Sequence, residues 1–513
     1  MSTAQLEHEA GAPRPGGDDL TETLRSRLSN PVQSPEFDLH AGTNDVLKEV
    51  GLTTADSGGK VSFYGQDPIV PSVFRFGAMS AVSLAAKAVA AANIWKLRTG
   101  EGQDIHVDVR KALRRFAPFF EREWELLNGR PSSFGDDPGN PFMSLPFFYR
   151  TRDARSVVPL NIYPKLRANA LTLLRCTESQ AAVRNAILQW RADDLEAAGA
   201  EAGIVMGKIR TWQEFLAEPQ YTEVFAHEPV IRLEKIGDSN PIPFKPGAKT
   251  PLDGIRALGM SHVIAGPAIG RDLAMFGADV LNVWQPMDTE IEMFYRTSHV
   301  GMRSTFLDFQ VAEERHKFNQ LLRGTDVFFA NRRPGYLERH GLSAEELSAR
   351  NPGLIHAKVV WSSETGPWSN RVGFDEVAAA VTGLFALEGT LAQPKLPSIH
   401  VVCDYAAGWF ATVGILEALR RRAVEGGSYR VVVSLTRFTL WLMSLGIFDK
   451  KYAKATVGSS DEHTYVAPDL FTAETPLGTY QGVTEQVKMS RTPGSFKTVL
   501  VPRGSSKPEW LAS

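Results

Sequence analysis

The sequence has little cysteine, almost no imbalance of charge and no long apolar run, and each shortage excludes a class of protein. Two cysteines in 513 residues, Cys176 and Cys403, are too few for a disulfide framework, which points to a reducing compartment. Formal net charge is −2, from 56 basic and 58 acidic residues, so no global basic field recruits nucleic acid or a membrane surface. No stretch approaches the roughly 18 apolar residues of a spanning segment. The first twenty residues, MSTAQLEHEAGAPRPGGDDL, show neither the basic nor the apolar region of a secretory leader, and a cytoplasmic protein is expected. The 11 histidines show no metal-ligand spacing, so no metal is expected.

What is present suits a globular chain of two or three domains, with 43% hydrophobic and 22% charged residues. Residues 1–60 are rich in Gly, Pro, Ser, Asp and Glu and are expected to form a mobile tail with a short amphipathic helix near Leu20–Leu28. A region from 61 to 240 opens with the Ala-rich helix GAMSAVSLAAKAVAAANIWKLR (77–98) and the strand DIHVDV. It continues through a Pro/Gly-rich loop (130–141), a strand pair (147–162), and helices around 165–175, 179–199 and 211–217. Residues 237–254 have the composition of a linker. From 241 to 400 strands and helices alternate (GIRALGM, AGPAIGRDLAMFGA, DVLNVWQ, later VFFAN and LIHAKVVW), which predicts an α/β fold with a parallel sheet. The turn SHVIAGPAIG is not a G-x-G-x-x-G, and Trp284 ends the second strand where a dinucleotide fold wants an acid, which disfavours NAD.

The last region, 401–513, contains the most informative residue. Asp404 opens the run DYAAGWFATVGILEAL, whose apolar residues recur at helical spacing. A carboxylate at the start of a buried helix faces unpaired backbone N–H groups and the positive end of the dipole, which is expected to keep it ionised and available as a nucleophile. The same position suits a helix cap, for which Asp is among the best residues. Cys403 offers a thiol alternative, or a small buried apolar residue. The segment SLAAKAVAAANIWKLRTGEGQDIHVDV (83–109) lies on GWFATVGILEALRRRAVEGGSYRVVVSL (408–435) with an offset of 325, and LPFFYRTRDARSVVPL resembles APDLFTAETPLGTYQGV. Under this alignment Asp404 falls on Met79.

Several segments together resemble the family III CoA-transferases, a group that includes formyl-CoA and carnitine CoA-transferases and the acyl-CoA racemases. They are LDGIRALGMSHVIAGPAIGRDLAMFGADVLNVWQP, GMRSTFLDF, TDVFFANRRPGYLERHGLSAEELSARNPGLIHAKVVWSSETGPW, GFDEVAAAVTGL and DYAAGWFATVGILEAL. The resemblance runs from about 252 to 445, with a second stretch from about 70 to 240. It implies a Rossmann-like large domain, a smaller α+β domain, and Asp404 as the nucleophile. The order is unusual: the first 240 residues resemble the family's second half, so the chain looks like a tandem partial duplication whose first copy has lost its nucleophile at Met79.

The resemblance also implies the site. CoA would lie along His262, Val263, Ile264 and Ala265, with its phosphates near Asn331, Arg332, Arg333 and Arg339, and Arg303 matches a further basic position. Asn282, Trp284, Met302 and Gln310 depart from the family, which often carries Lys or Glu there. Phe374 and Asp375 would line the substrate pocket. Racemases have His then Asp at this point, and Phe374 cannot carry a proton, so transfer is favoured over racemisation. His262 is the nearest substitute base, or else a hydrogen-bonded loop residue. The expected activity is transfer of CoA from an acyl-CoA to a carboxylic acid, with CoA as substrate and no resident cofactor. A racemase and a degenerate CoA-binding protein are the alternatives. Family members are interlocked dimers, so a homodimer or a self-closed pseudo-dimer is expected.

Overall fold

Short runs of Val, Ile, Leu and Phe, buried on both faces, build the inner strands of a seven-stranded sheet at the centre of the protein. Its spatial order is Arg303–Phe306, Asp279–Trp284, Arg256–Met260, Val327–Ala330, Ile355–Val360, Ser428–Ser434 and Arg232–Gly237. The first six strands are parallel and the last is antiparallel. In chain order the parallel strands run 3-2-1-4-5-6, a doubly wound arrangement whose switch point lies between Arg256–Met260 and Val327–Ala330. This is a computed structural model, and it describes residues 17–116, 118–132, 142 and 148–512.

The sheet crosses the expected boundaries at both ends. Its antiparallel edge, Arg232–Gly237, precedes residue 241, and its sixth parallel strand, Ser428–Ser434, follows residue 400. The tail expected through residue 60 also differs. Helices Gly17–Ser29 and Leu39–Lys48 place Leu24, Leu28, Val46 and Leu47 in the core, so residues 20–60 are part of the body. Most of the expected 130–141 loop lies outside the described residues. A smaller α+β unit is present: strands Tyr149–Arg150, Ser156–Val158 and Gly207–Lys208, with helices Pro164–Leu174, Gln180–Ile187 and Ala192–Glu201. The expected 179–199 helix is therefore two, separated near Trp190.

Two long helices, Phe76–Thr99 and Asp404–Glu425, pack against each other at the centre. The first is long and apolar enough to cross a membrane by composition, but 94% of its most apolar window is buried inside the protein. The second lies close to the helix Ala265–Met275. A Cβ at Gly408 would stand 2.8 Å from the Ala265 carbonyl oxygen, so glycine permits this approach.

Each long helix leads into a strand with one parallel and one antiparallel neighbour. Gln103–Asp108 lies between Gly58–Tyr64 (parallel) and Val487–Met489 (antiparallel). Ser428–Ser434 lies between Ile355–Val360 (parallel) and Arg232–Gly237 (antiparallel). The antiparallel neighbour comes in each case from the other half of the chain. The second expected similarity is weaker in three dimensions. Both segments form antiparallel pairs, but the pair Leu470–Thr475 and Gly478–Val483 joins Leu126–Leu127, whereas Tyr149–Arg150 and Ser156–Val158 belong to the smaller unit.

A buried ionic cluster ties these parts together. Lys87, from the first long helix, reaches Asp272 at 2.6 Å and Glu485 at 2.8 Å, and Glu485 also receives Arg271 (3.1 Å) and Arg115 (3.3 Å). The three cations hold Glu485 far below the usual carboxylate range, although burial pushes the other way. Charges this deep are tolerable only when paired, so the cluster fixes how the segments meet.

Candidate active site

Asp404 is the first residue of its helix, but it is not the cap. The capping carboxylate is Asp375, which accepts from the backbone N–H of Val402 (2.9 Å), Cys403 (2.6 Å) and Asp404 (3.0 Å). Asp375 itself begins the helix Asp375–Thr382 and is 1% exposed. It therefore satisfies the orphan donors of one helix from the start of another, and leaves the Asp404 carboxyl free. The first long helix repeats the device. Asp67 accepts from the N–H of Gly77 (2.9 Å) and Ala78 (2.6 Å), which align on Val402 and Cys403 at the offset of 325. Met79, aligned on Asp404, is fully buried.

Asp404 lines a narrow cavity of about 30 Å³, roughly one water molecule of space. Its walls are Phe120, Leu160 and Ile162 from the first half, and Val263, Ile264, Phe294, Phe374 and Val401 from the second. Glu376 is the other carboxyl in the lining. Among the described residues no Lys, Arg or His lines it. The expectation that helix position keeps Asp404 ionised is accordingly overturned. Burial raises its pKa well above the usual range, and the nearby Asp375 and Glu376 charges add to the effect. Glu376, half-buried beside Asp375, is pushed up to about 8 by desolvation and then by that charge. Cys403 is completely buried and its thiol is raised well above its ordinary value, chiefly by desolvation, so it remains a thiol.

The cavity abuts the crevice at the sheet's switch point. There the loop after Arg256–Met260 meets the end of Val327–Ala330: the His262 N–H donates to Asn331 Oδ1 (3.1 Å), and Asn331 Nδ2 donates to the His262 carbonyl (2.8 Å). Val263 follows with φ 65°, a strained conformation for a β-branched residue. Glu290 Oε2 accepts the Val263 N–H at 2.6 Å, and Ser298 donates to the Val263 carbonyl at 2.7 Å, which together hold that strain. Burial pushes Glu290 up to about 7, and Tyr163 donates to it at 3.2 Å.

Residues 252–498 match the family model for CoA-transferase family III. The match covers just under half of this chain. It is 32% identical over 230 residues to an acetyl-coenzyme A transferase, nodX, of Hypoxylon pulicicidum, covering 44% of this chain and 36% of that protein. It is 36% identical over 193 residues to the succinyl-CoA–L-malate CoA-transferase beta subunit of Chloroflexus aurantiacus, covering 35% and 48% respectively. The chain thus spans less than half the length of these two curated relatives. A CAIB/BAIF family protein from Brucella suis aligns in structure with a TM-score of 0.35 at 26% identity, covering 45% of this chain and 65% of that one.

Within the family III segment, the structure places the expected residues unequally. Val263, Ile264, Phe374 and Asp404 meet at one cavity, with His262 and Asn331 beside it and Ala265 opening the helix behind. Asp375 is corrected from pocket wall to helix cap. Arg303 is corrected too. It lies at the N-terminal end of its strand, opposite to the switch-point crevice, and Asp279 engages it in a two-pronged ion pair of 2.8 and 3.0 Å. Arg332 is committed to Asp288 (2.8 and 2.6 Å) and the Met260 carbonyl (3.0 Å), which leaves it no fork for a phosphate. Arg333 and Arg339 are exposed and unpaired among the described residues. His262 is lowered to about 3, mainly by burial and then by the charge of Arg332, so it stays neutral. Its ring meets Tyr163 edge-on at 5.9 Å.

Three polar residues of the site were missed in the sequence: Glu376, Glu290 and Tyr163. Glu376 had a signal, since it follows Asp375 in a helix whose first turn faces the Asp404 helix. Glu290 and Tyr163 had none, because each reaches the site from a segment without a periodic pattern.

Proposed function

We propose that the protein transfers CoA from an acyl-CoA to a carboxylic acid, with Asp404 as the covalent carrier. The observation that carries this is the division of labour at the helix start: Asp375 takes the backbone N–H groups, and Asp404 is left facing a narrow, mostly apolar cavity. A carboxylate oxygen of Asp404 attacks the thioester carbon of the donor and expels CoA thiolate, giving a mixed anhydride. The thiolate attacks the aspartyl carbonyl, releases the donor acid and leaves an aspartyl-CoA thioester. The acceptor carboxylate attacks that thioester, and the expelled thiolate then attacks the acceptor's acyl carbon, which frees Asp404. Because the resting carboxyl has a raised pKa, the first step requires loss of its proton, and activity should rise with pH. Intact-protein mass spectrometry after incubation with acyl-CoA tests the proposal: a CoA-sized, hydroxylamine-labile adduct on the peptide bearing Asp404 is expected. Its absence with every donor tried would sink the mechanism.

We further infer that the chain holds two partial copies closed on each other, which is supported by the paired long helices, the shared capping carboxylates and the exchanged antiparallel strands. Arg333 and Arg339, as the uncommitted cations near the crevice, are assigned to the CoA phosphates.

A further inference from the structure

We propose that the acid handled at Asp404 is a monocarboxylic acid with a short, uncharged apolar chain, and that Glu376, once ionised, adds to the rejection of dicarboxylates. This rests on Asp404 being the carrier. The cavity has room for about one water molecule, so an acyl chain would enter by parting its walls, Phe120, Leu160, Ile162, Phe294, Phe374 and Val401, with no cation among the described lining residues. A second carboxylate on the substrate would need such a cation, because a desolvated and unpaired charge is strongly unfavourable. Here it would meet Asp404 and, above about pH 8, an ionised Glu376 instead. Asp404 attacks only as an anion, and one more negative group in the same dry space makes its ionisation harder. Among the described residues the Glu376 side chain has no basic partner to absorb that charge. The electrostatics agree: Asp404 already feels Asp375 and Glu376 as repulsive neighbours, and no basic group offsets them. The Chloroflexus relative is named for two dicarboxylates, succinate and malate, whereas among the described residues this cavity is lined by no Lys, Arg or His.

Butyryl-CoA and succinyl-CoA provide the test, because they share a four-carbon chain and differ at its end. The full-length protein is incubated with each at about pH 9, where Glu376 is ionised, and formation of the adduct is timed by intact mass. Butyryl-CoA should label at least about 100-fold faster, the scale that like-charge juxtaposition sets. In Glu376→Gln the ratio should shrink about tenfold or more, chiefly because succinyl-CoA improves. Equal or faster labelling by succinyl-CoA in the wild type would overturn the assignment of substrate class while leaving the carrier role intact. An unchanged ratio in Glu376→Gln would overturn the role of Glu376. If neither donor labels Asp404, the carrier proposal fails, and calorimetric binding of the two thioesters to Asp404→Asn still decides the pocket's preference. Equal affinities there would refute it.

Discussion

Replacing Asp375 and Asp404 separately distinguishes a cap from a catalytic carboxyl. Asp375 receives three backbone N–H groups at 2.6–3.0 Å, all from buried residues. Asp375→Ala leaves them without an acceptor. Losing a cap costs about 1–2 kcal/mol, and orphaned buried donors about 1–3 kcal/mol each, so the total is roughly 3 kcal/mol or more even if water enters. Asp404→Asn removes no backbone partner and replaces a carboxyl that burial already raises far above its normal range, so stability at pH 7 should hold within about 0.5 kcal/mol. For a cooperative unit of about 500 residues, 1 kcal/mol moves Tm by roughly 1 °C, and by about twice that if half the chain melts alone. Differential scanning fluorimetry with urea midpoints therefore resolves the two variants. Asp404→Asn should lose the adduct and nearly all transfer while melting like the wild type, and Asp375→Ala should melt several degrees lower. Asp375→Asn adds a second readout. Its lost charge relieves Asp404, so the alkaline-rising limb of the transfer profile should move to lower pH. If Asp404→Asn melts as low as Asp375→Ala, the cap is misassigned.

Four further outcomes can be checked directly. Glu376 is raised to about 8, so the folded protein holds its proton between about pH 4.5 and 8 while the unfolded chain does not; stability contributed below that window is lost as pH rises through it, by no more than about 3 kcal/mol given partial exposure. Glu376→Gln should therefore gain Tm over the wild type at pH 8 and not at pH 5. Lys87→Met strips the buried Asp272 and Glu485 of a cation and should destabilise by about 3–5 kcal/mol, read as a lower urea midpoint. Arg333→Ala should raise KM for the CoA donor with kcat little changed, whereas Arg332→Ala should leave Asp288 unpaired and lower Tm instead. Light scattering in dilute solution should show a particle of one chain if the two halves close on each other.

Much of the fold could be read from local pattern. The alternation from 255 to 360 gave the strands near their observed limits, because buried parallel strands are short apolar runs bounded by turns. The helix 77–98 was found within a residue or so, since Ala and Leu dominate it and Gly100 ends it with φ 80°. The tail was misjudged because its polar composition hid Leu24, Leu28, Val46 and Leu47, four anchors whose partners lie far along the chain. The site was half legible. Asp404 and the 262–265 loop announced themselves, but nothing local says that Asp375, 29 residues earlier, holds the N–H groups of Asp404's helix. The arginines misled for a related reason. NRRPGYLERHG reads as a basic cluster, yet only a three-dimensional partner such as Asp288 reveals that Arg332 is already engaged.

The two long helices show what leaves Asp404 free for the role proposed above. Each begins with a carboxylate on its N–H groups, Asp67 in one case and Asp375 in the other. Capping is thus needed wherever such a helix starts in the interior, independent of catalysis. The difference lies one residue on. At Met79 the side chain is sealed in the core, whereas at Asp404 it reaches a cavity walled partly by Phe120, Leu160 and Ile162. Those three residues belong to the first half of the chain. The half that lacks a carboxyl therefore supplies one wall of the cavity for the half that has it. That dependence gives a physical reason for both halves to stay in one chain: separated, the second would keep its carboxyl and its switch-point crevice but expose the Asp404 side of the cavity to water. Hydration would lower the raised pKa and blunt the proposed nucleophile, because a carboxylate attacks well only where water is kept away.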